Sequence, residues 1–440
     1  MSEIIRGAVA TYNRVDNIQP EEWEKKITQI LPYGQTPITA ILDNMSKTKT
    51  DSRILHWWDE EEPALTGDIL GIYTDAGMTT PISGTYPEDT VLYVKVNETS
   101  AKQILVNNTL GIIAKPNSSG IVSNTSIVRA DVKGVLIDGN NSRINIKLLS
   151  DMPDFGSAEL AWFLSGNAQE EGSELPESVY YEPTEYQNQT QIFMGSCEMT
   201  NSALKEMERV EPDKWERTIS QALVRLRKDM ERNVIFGVMK TSYVNGKQKR
   251  HLKGLYQAIS AYNNIFDIKK YGTIDSGFAG KSWANVGFDL IDDIVLRTSQ
   301  TKTDSNAKML FTGSKGFQAI SQVVRNSSQL AYNWSAIEET FGFRVHKIVS
   351  CVKDLNIVIH PLFNEIPRFQ RAGLLIEGRY ISKAVFRDLM FISGKQGNDE
   401  NGYDWVDGKK AGWLTEFTLK WNYLQNFAWL ENLGSDVDAS

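Results

Sequence analysis

The chain has 440 residues, 41% of them hydrophobic and 23% charged, enough for two or three domains with cores of their own. A net charge of −8 disfavours a dedicated binder of nucleic acid or of anionic membranes, since such binding rests on Lys and Arg patches. Two distant cysteines, Cys197 and Cys351, exclude a disulfide framework and a cysteine-rich zinc site; no apolar run approaches about 18 residues, so no signal peptide or membrane span is expected.

Residues 1–19 read as an irregular arm. Pro20–Leu31 predicts a short helix with proline and acids in its first turn and Trp23, Ile27, Ile30 and Leu31 on one face. Thr36-Pro37 is a helix start, an N-cap followed by proline, opening Ile38–Met45. From 64 to 160 the texture becomes Val, Ile, Thr, Asn and Gly. Val91–Val96 reads as a strand, and Gly134–Asp138 with Arg143–Leu148 reads as a hairpin. Short strands at this spacing predict a small β barrel or sandwich, inserted because helical periodicity resumes afterwards.

Tyr181–Phe193 begins as a polar string and ends in Ile192-Phe193, too apolar for a linker. Next comes the strongest local signal, Pro212–Gly237. It places Trp215, Ile219, Leu223, Leu226, Met230 and Val234 on one stripe of a helix close to 40 Å long. So long a helix needs a long partner surface, because packing supplies most helix stability. Trp283–Gln300 is a second amphipathic helix. Ala307–Thr312 is a buried strand, followed by a turn at Gly313–Gly316 and a helix to Asn326. Phe343–Cys351 and Asn356–Pro361 form a hairpin, and Phe417, Leu419, Trp421 and Tyr423 alternate with polar residues in a half-buried strand.

Chemistry finds little support in these patterns. His346, Cys351 and His360 could supply a Cys–His pair, but a structural cysteine between ordinary strand histidines is the simpler reading. Gly313-Ser-Lys-Gly316 lacks the spacing with which a phosphate loop wraps its ligand and reads as a plain turn. Asp292-Asp293 and Glu60–Glu62 have no partner at metal-ligand spacing. Lys247–Lys253 is basic, yet short and without interleaved aromatics, so a solvated or subunit-facing loop is preferred to a DNA contact. Neither an enzyme nor a cofactor or metal is expected. Eleven tryptophans beside four histidines lean towards burial and contact.

The order of these elements resembles the major capsid proteins of tailed phages with the Hong Kong ninety-seven fold. The subgroup named after phage SU-ten is the nearer likeness, with crAss-like phage capsid proteins beside it. The residues that carry the likeness are Thr36-Pro37-Ile38, Asn188–Phe193 with Thr200, Arg227–Arg232 ending at Gly237, Gly412–Glu416 and Asn426–Leu430. Residues 64–160 fit it worst.

The resemblance implies an α+β capsid subunit. Its parts are an N-terminal arm (1–36), an extended loop (37–195) carrying the 64–160 insertion, and a peripheral domain (196–262) with spine helix 212–237. An axial domain (263–390) and a return to the peripheral sheet with a tail (391–440) complete it. On that reading Tyr186, Gln189, Gln191, Ile192 and Phe193 contact a neighbouring subunit, while Trp215, Leu223, Leu226 and Met230 pack the spine. It further implies self-assembly into hexamers and pentamers of an icosahedral head around double-stranded DNA, in the host cytoplasm and then in the virion. Portal, scaffold and auxiliary or head-fibre proteins would be partners, DNA contact would be weak and non-specific, and no membrane would be involved. The alternatives are an encapsulin-like shell around protein cargo, a tail or baseplate protein, and a hydrolase using His346, Cys351 and His360.

Overall fold

The computed structural model describes residues 36–44, 47–60, 65–116, 124–156, 158–206, 214–299, 304–326, 335–340, 343–349, 352–393 and 408–439. The expected helix Pro20–Leu31, the arm before it and Cys351 lie outside them. Helix α1 (Pro37–Asn44) opens the described chain, with Ile38, Ile41 and Leu42 buried at helical spacing. Strands β1 (Thr48–Lys49) and β2 (Ile54–Asp59) follow.

A β module comes next: β3 (Thr66–Ile69), β4 (Gly71–Tyr73), β5 (Val91–Lys95), helix α2 (Glu98–Gln103), β6 (Asn108–Ala114), β7 (Val128–Leu136), β8 (Arg143–Leu148) and β9 (Leu160–Asn167). The strands make one seven-stranded sheet in the order β3-β9-β6-β7-β8-β5-β4. The predicted hairpin is present as β7–β8, joined through a 3-10 turn at Gly139–Asn141. Leu92, Val94, Ile112, Val132, Ile144, Ile146, Leu148 and Trp162 are among the residues of its core, which shares no residue with the other two cores. The sheet runs past the expected boundary at 160, because β9 lies between β3 and β6 and cannot be left out of it.

Strands β10 (Thr184–Gln189) and β11 (Gln191–Thr200) lead through α3 (Asn201–Lys205) to α4 (Lys214–Phe236). The β12 (Lys240–Val244) and β13 (Lys247–His251) ribbon follows. After it come α5 (Leu255–Ala261), β14 (Ile265–Asp267), α6 (Trp283–Arg297), β15 (Ala307–Thr312), α7 (Ser314–Asn326), β16 (Ser335–Thr340), β17 (Phe343–Val349) and β18 (Asp354–Ile359). The chain ends with α8 (Pro361–Glu365), β19 (Gly373–Ile376), β20 (Ile381–Ser393), β21 (Gly408–Trp421) and β22 (Ala428–Glu431).

Two further sheets organise this half. The first, β1-β20-β21-β11, packs on α4; the second, β14-β22-β19-β15-β18-β17-β16, is covered by α6 and α7, whose Trp283, Leu290, Ile294, Ile320 and Val323 enter its core. The expected division at 390 is crossed in both directions. Strand β20 already belongs to the first sheet, and β22 goes back to the second, where it pairs with β14 and β19. The expected half-buried strand is the central strand β21, buried without a break from Leu414 to Leu419: Phe417 and Leu419 enter the core on one face, and Thr190, Arg250 and Arg387 cover Glu416 on the other. At Gly313 a Cβ would stand 2.6 Å from the Gln370 carbonyl, and the Ser314 N–H donates to Asn364. The glycine serves a close backbone approach, and the turn's first helical amide already has an acceptor.

Candidate assembly surface

The polar string ahead of Phe193 is woven into its own chain. Strand β10 pairs antiparallel with β2, setting Tyr186 opposite Trp57. The Tyr186 and Trp57 rings stack at 6.1 Å, and Trp57 meets Trp421 edge-on at 5.2 Å. Asn188, Gln189 and Thr190 are buried, so each polar group needs a partner. The Asn188 amide donates to the Leu419 and Lys253 carbonyls at 3.0 and 3.2 Å and accepts from the Lys253 N–H at 2.8 Å. Gln189 donates to the His251 carbonyl at 2.7 Å and accepts from the Thr241 hydroxyl at 2.8 Å. Gln191 donates to Asn233 and accepts from the Leu252 N–H.

Thr190 donates to Glu416, a fully buried carboxylate that also takes Arg250 at 2.7 Å and Arg387 at 2.6 Å. Burial alone would raise the Glu416 carboxyl. Hydrogen bonds from Thr190 and Arg387, with the charges of Arg387 and Arg250, outweigh that and hold it below its ordinary value.

The base of the string is thus packed within its own chain, while Glu182–Glu185 and Gln187 stay exposed. Tyr186, Gln189, Gln191 and Phe193 are engaged inside the chain; Phe193 stacks on Phe417 at 4.9 Å. Ile192 alone of the five expected contact residues stands out, 44% exposed, on the outer row of β11 with Met194 at 70%. The partners of β10 and β11 within the chain lie at residues 54–59, 240–253 and 408–421, too distant for any local pattern to register.

The spine residues divide. Leu226 and Met230 are buried, joined by Val234 and Ile235, while Trp215 and Leu223 at the N-terminal end are half-buried. Gly195 on β11 lets the helix approach: a Cβ there would lie 3.2 Å from the Leu226 Cβ. Glu231, also buried, was not found from the sequence, where it sits among surface-like charges. Its carboxylate accepts from the Ile38 and Thr39 N–H groups at 2.8 and 2.7 Å and from His360 Nε2 at 2.9 Å. Because His360 Nδ1 accepts from the Leu362 N–H, Nε2 carries the proton. One carboxylate thus ties α1, α4 and the start of α8.

Two of the exposed stretches among the described residues differ in chemistry. Residues 165–180 are exposed without exception, including Leu175 at 96% and Tyr180 at 78%. The β12–β13 ribbon exposes Tyr243 and Val244 beside Lys240, Lys247 and Lys249. Among the described residues no cluster of His, Cys, Asp and Glu is placed to hold a metal, and no helix is long and apolar enough to cross a membrane.

The class to which this chain belongs is that of viral capsid proteins. Residues 5–434 match the family model described as SU10 major capsid protein, and the chain belongs to that family. Its described residues form a mixed α and β architecture. A search of curated proteins finds no match. Among solved structures, a chain from Mycobacterium phage Cain is similar at 8% identity with a TM-score of 0.46, covering 98% of this chain and 97% of that one. A chain from Mycobacterium phage Bobi is similar at 8% identity and TM-score 0.45, over 96% and 94%. The holo-SrpI encapsulin complex from Synechococcus elongatus is similar at 12% identity and TM-score 0.37, over 58% of this chain and 78% of that one.

Proposed function

We propose that this major capsid protein assembles into hexamers and pentamers of an icosahedral phage head enclosing double-stranded DNA. The observation that carries the reading is the family match across residues 5–434. In this reading residues 1–36 form an arm and 37–195 an extended loop that bears the β module. The α4 helix is the spine of a peripheral domain, and the α6–α7 side of the second sheet is the axial domain. Ile192, with Met194 beside it, meets a neighbour, while Tyr186, Gln189, Gln191 and Phe193 fix the base from which the loop departs. A net charge of −8 suits a wall to which packed DNA adheres weakly. Portal, scaffold and auxiliary or head-fibre proteins complete the head, assembled in the host cytoplasm.

Negative-stain microscopy of the purified protein, with nuclease treatment and extraction of the contents, tests this reading. Rings or closed shells that protect DNA during infection are expected. Protein cargo in place of DNA would favour the encapsulin alternative, and monomers at every concentration would sink the assembly reading.

A further inference from the structure

The β12–β13 ribbon is a two-stranded projection, and such ribbons are marginal in water unless something covers them. It turns at Asn245-Gly246, both at positive φ, as a tight hairpin requires. Tyr243 is 72% and Val244 54% exposed. Lys240, Lys247 and Lys249 form no ion pair among the described residues, whereas Arg250 at the base is committed to Glu416. Among the described residues no strand adjoins the outer edge of β12.

The segment 168–183 has the opposite chemistry. It holds Glu170, Glu171, Glu174, Glu177 and Glu182 and no Lys or Arg. It has neither helix nor strand, and none of the five carboxylates is ion-paired among the described residues. Leu175 and Tyr180 supply exposed apolar surface. Beyond the turn that the Ser173 N–H closes on the Glu170 carbonyl, the ten residues 174–183 reach about 33 Å when fully extended. Six residues beyond the segment, Gln189 at the end of β10 grips the base of its own ribbon through His251 and Thr241, yet residues 168–180 are left exposed, so the home ribbon does not cover them.

We infer that the acidic segment 168–183 of one copy docks on the β12–β13 ribbon of a second copy. Its glutamates face Lys240, Lys247 and Lys249, and Leu175 and Tyr180 cover Val244, which stands on the same face of the ribbon as those lysines. The inference rests on the self-assembly reading above. Segment and ribbon are different surfaces, so the contact is head-to-tail, the kind that closes into rings when the rotation permits. Charges so exposed are screened within about 10 Å at 0.1 M salt, which makes the contact salt-sensitive.

Two full-length variants test it. One carries Glu170→Lys, Glu171→Lys, Glu174→Lys and Glu177→Lys; the other carries Lys240→Glu, Lys247→Glu and Lys249→Glu. Each alone should keep the circular dichroism of the unmodified chain and lose at least tenfold of its assembled fraction in sedimentation at low salt. Mixed in equal amounts, they should co-assemble into even-membered rings such as hexamers, since each segment then meets an opposite ribbon on a copy of the other variant, whereas a five-membered ring cannot alternate. A cis contact cannot be repaired by mixing. Assembly of either variant at the unmodified level, or a mixture no better than its parts, overturns the docking while leaving self-assembly intact. An unmodified chain that never assembles overturns the functional reading itself. Should the Lys→Glu set unfold the ribbon, Lys→Gln at the same three positions replaces it. That set should weaken assembly and abolish its salt dependence, and unchanged salt dependence would count against the proposal.

Discussion

In the β module, three of the six strand pairings join neighbours in sequence, β4 with β5, β6 with β7 and β7 with β8, and every pairing stays within residues 66–167. In the sheet under α4, β11 pairs with β21, so that Cys197 donates to a carbonyl 214 residues away, and α1 is held by a carboxylate 192 residues beyond Thr39. The first region is apolar and self-contained. The second is closed by buried polar keystones: Asn188, Gln189, Thr190, Glu231 and Glu416. Local pairing can be broken in parts. A keystone that joins three elements fails for all of them.

The largest loss is expected at Glu231. Glu231→Ala orphans two α1 amides and His360 Nε2, and losing one side of a buried charged network costs about 3–5 kcal/mol. Denaturant unfolding should report that loss, with hydrogen exchange accelerated at Ile38 and Thr39 and unchanged in the module strands. Protection lost equally in both regions would show one cooperative unit. Next comes Leu226→Ala, expected to cost about 3 kcal/mol because the side chain fills the space beside Gly195. An unchanged melting temperature would count against the packing of α4 on β11.

Two pH effects sharpen the contrast further. Glu416 titrates below its ordinary value in the folded chain, so its contribution is present above that value and lost as pH falls through the lowered one. Glu416→Gln should flatten the acid limb of the stability curve. Lys308 lies buried beside Glu377, and burial lowers its ammonium to about 7 against the pull of that carboxylate. Folding therefore sheds its proton, and stability should rise with pH from about 7 towards the ordinary lysine range near 10. Lys308→Met should remove that rise; its persistence would place the titration elsewhere. The smallest effect on the monomer is expected at Ile192→Thr. An exposed outer-face residue changes stability by less than about 0.5 kcal/mol, so any loss should be seen in assembly by microscopy.

What the sequence disclosed follows the same contrast. The β7–β8 hairpin, the α4 stripe around Leu226 and Met230, and the Ala307–Thr312 strand carry their own periodicity, so burial could be read from spacing. Asn188 and Gln189 carry none. A polar run looks solvated until the carbonyls of Lys253, His251 and Leu419 are known to face it. Glu231 hides for the same cause, one acid among Arg227, Lys228, Asp229 and Arg232, distinguished only by what folds over it. The crossing of β20 and β22 between sheets was likewise hidden, since alternation shows that a strand has a buried side and not which sheet supplies it.

The module enters and leaves the chain on adjacent strands, for Thr66 of β3 lies opposite Phe163 of β9. It hangs, in effect, like a leaf on a paired stalk, with its internal packing complete on the blade side. Turning the blade disturbs none of the eighteen buried residues inside it. A closed shell must seat identical chains in unequal surroundings, and a part that swivels without being rebuilt can absorb that inequality. The same stalk makes the leaf replaceable: a different fold with neighbouring ends could be grafted between Leu65 and Asn167 and leave the sheet beneath α4 untouched.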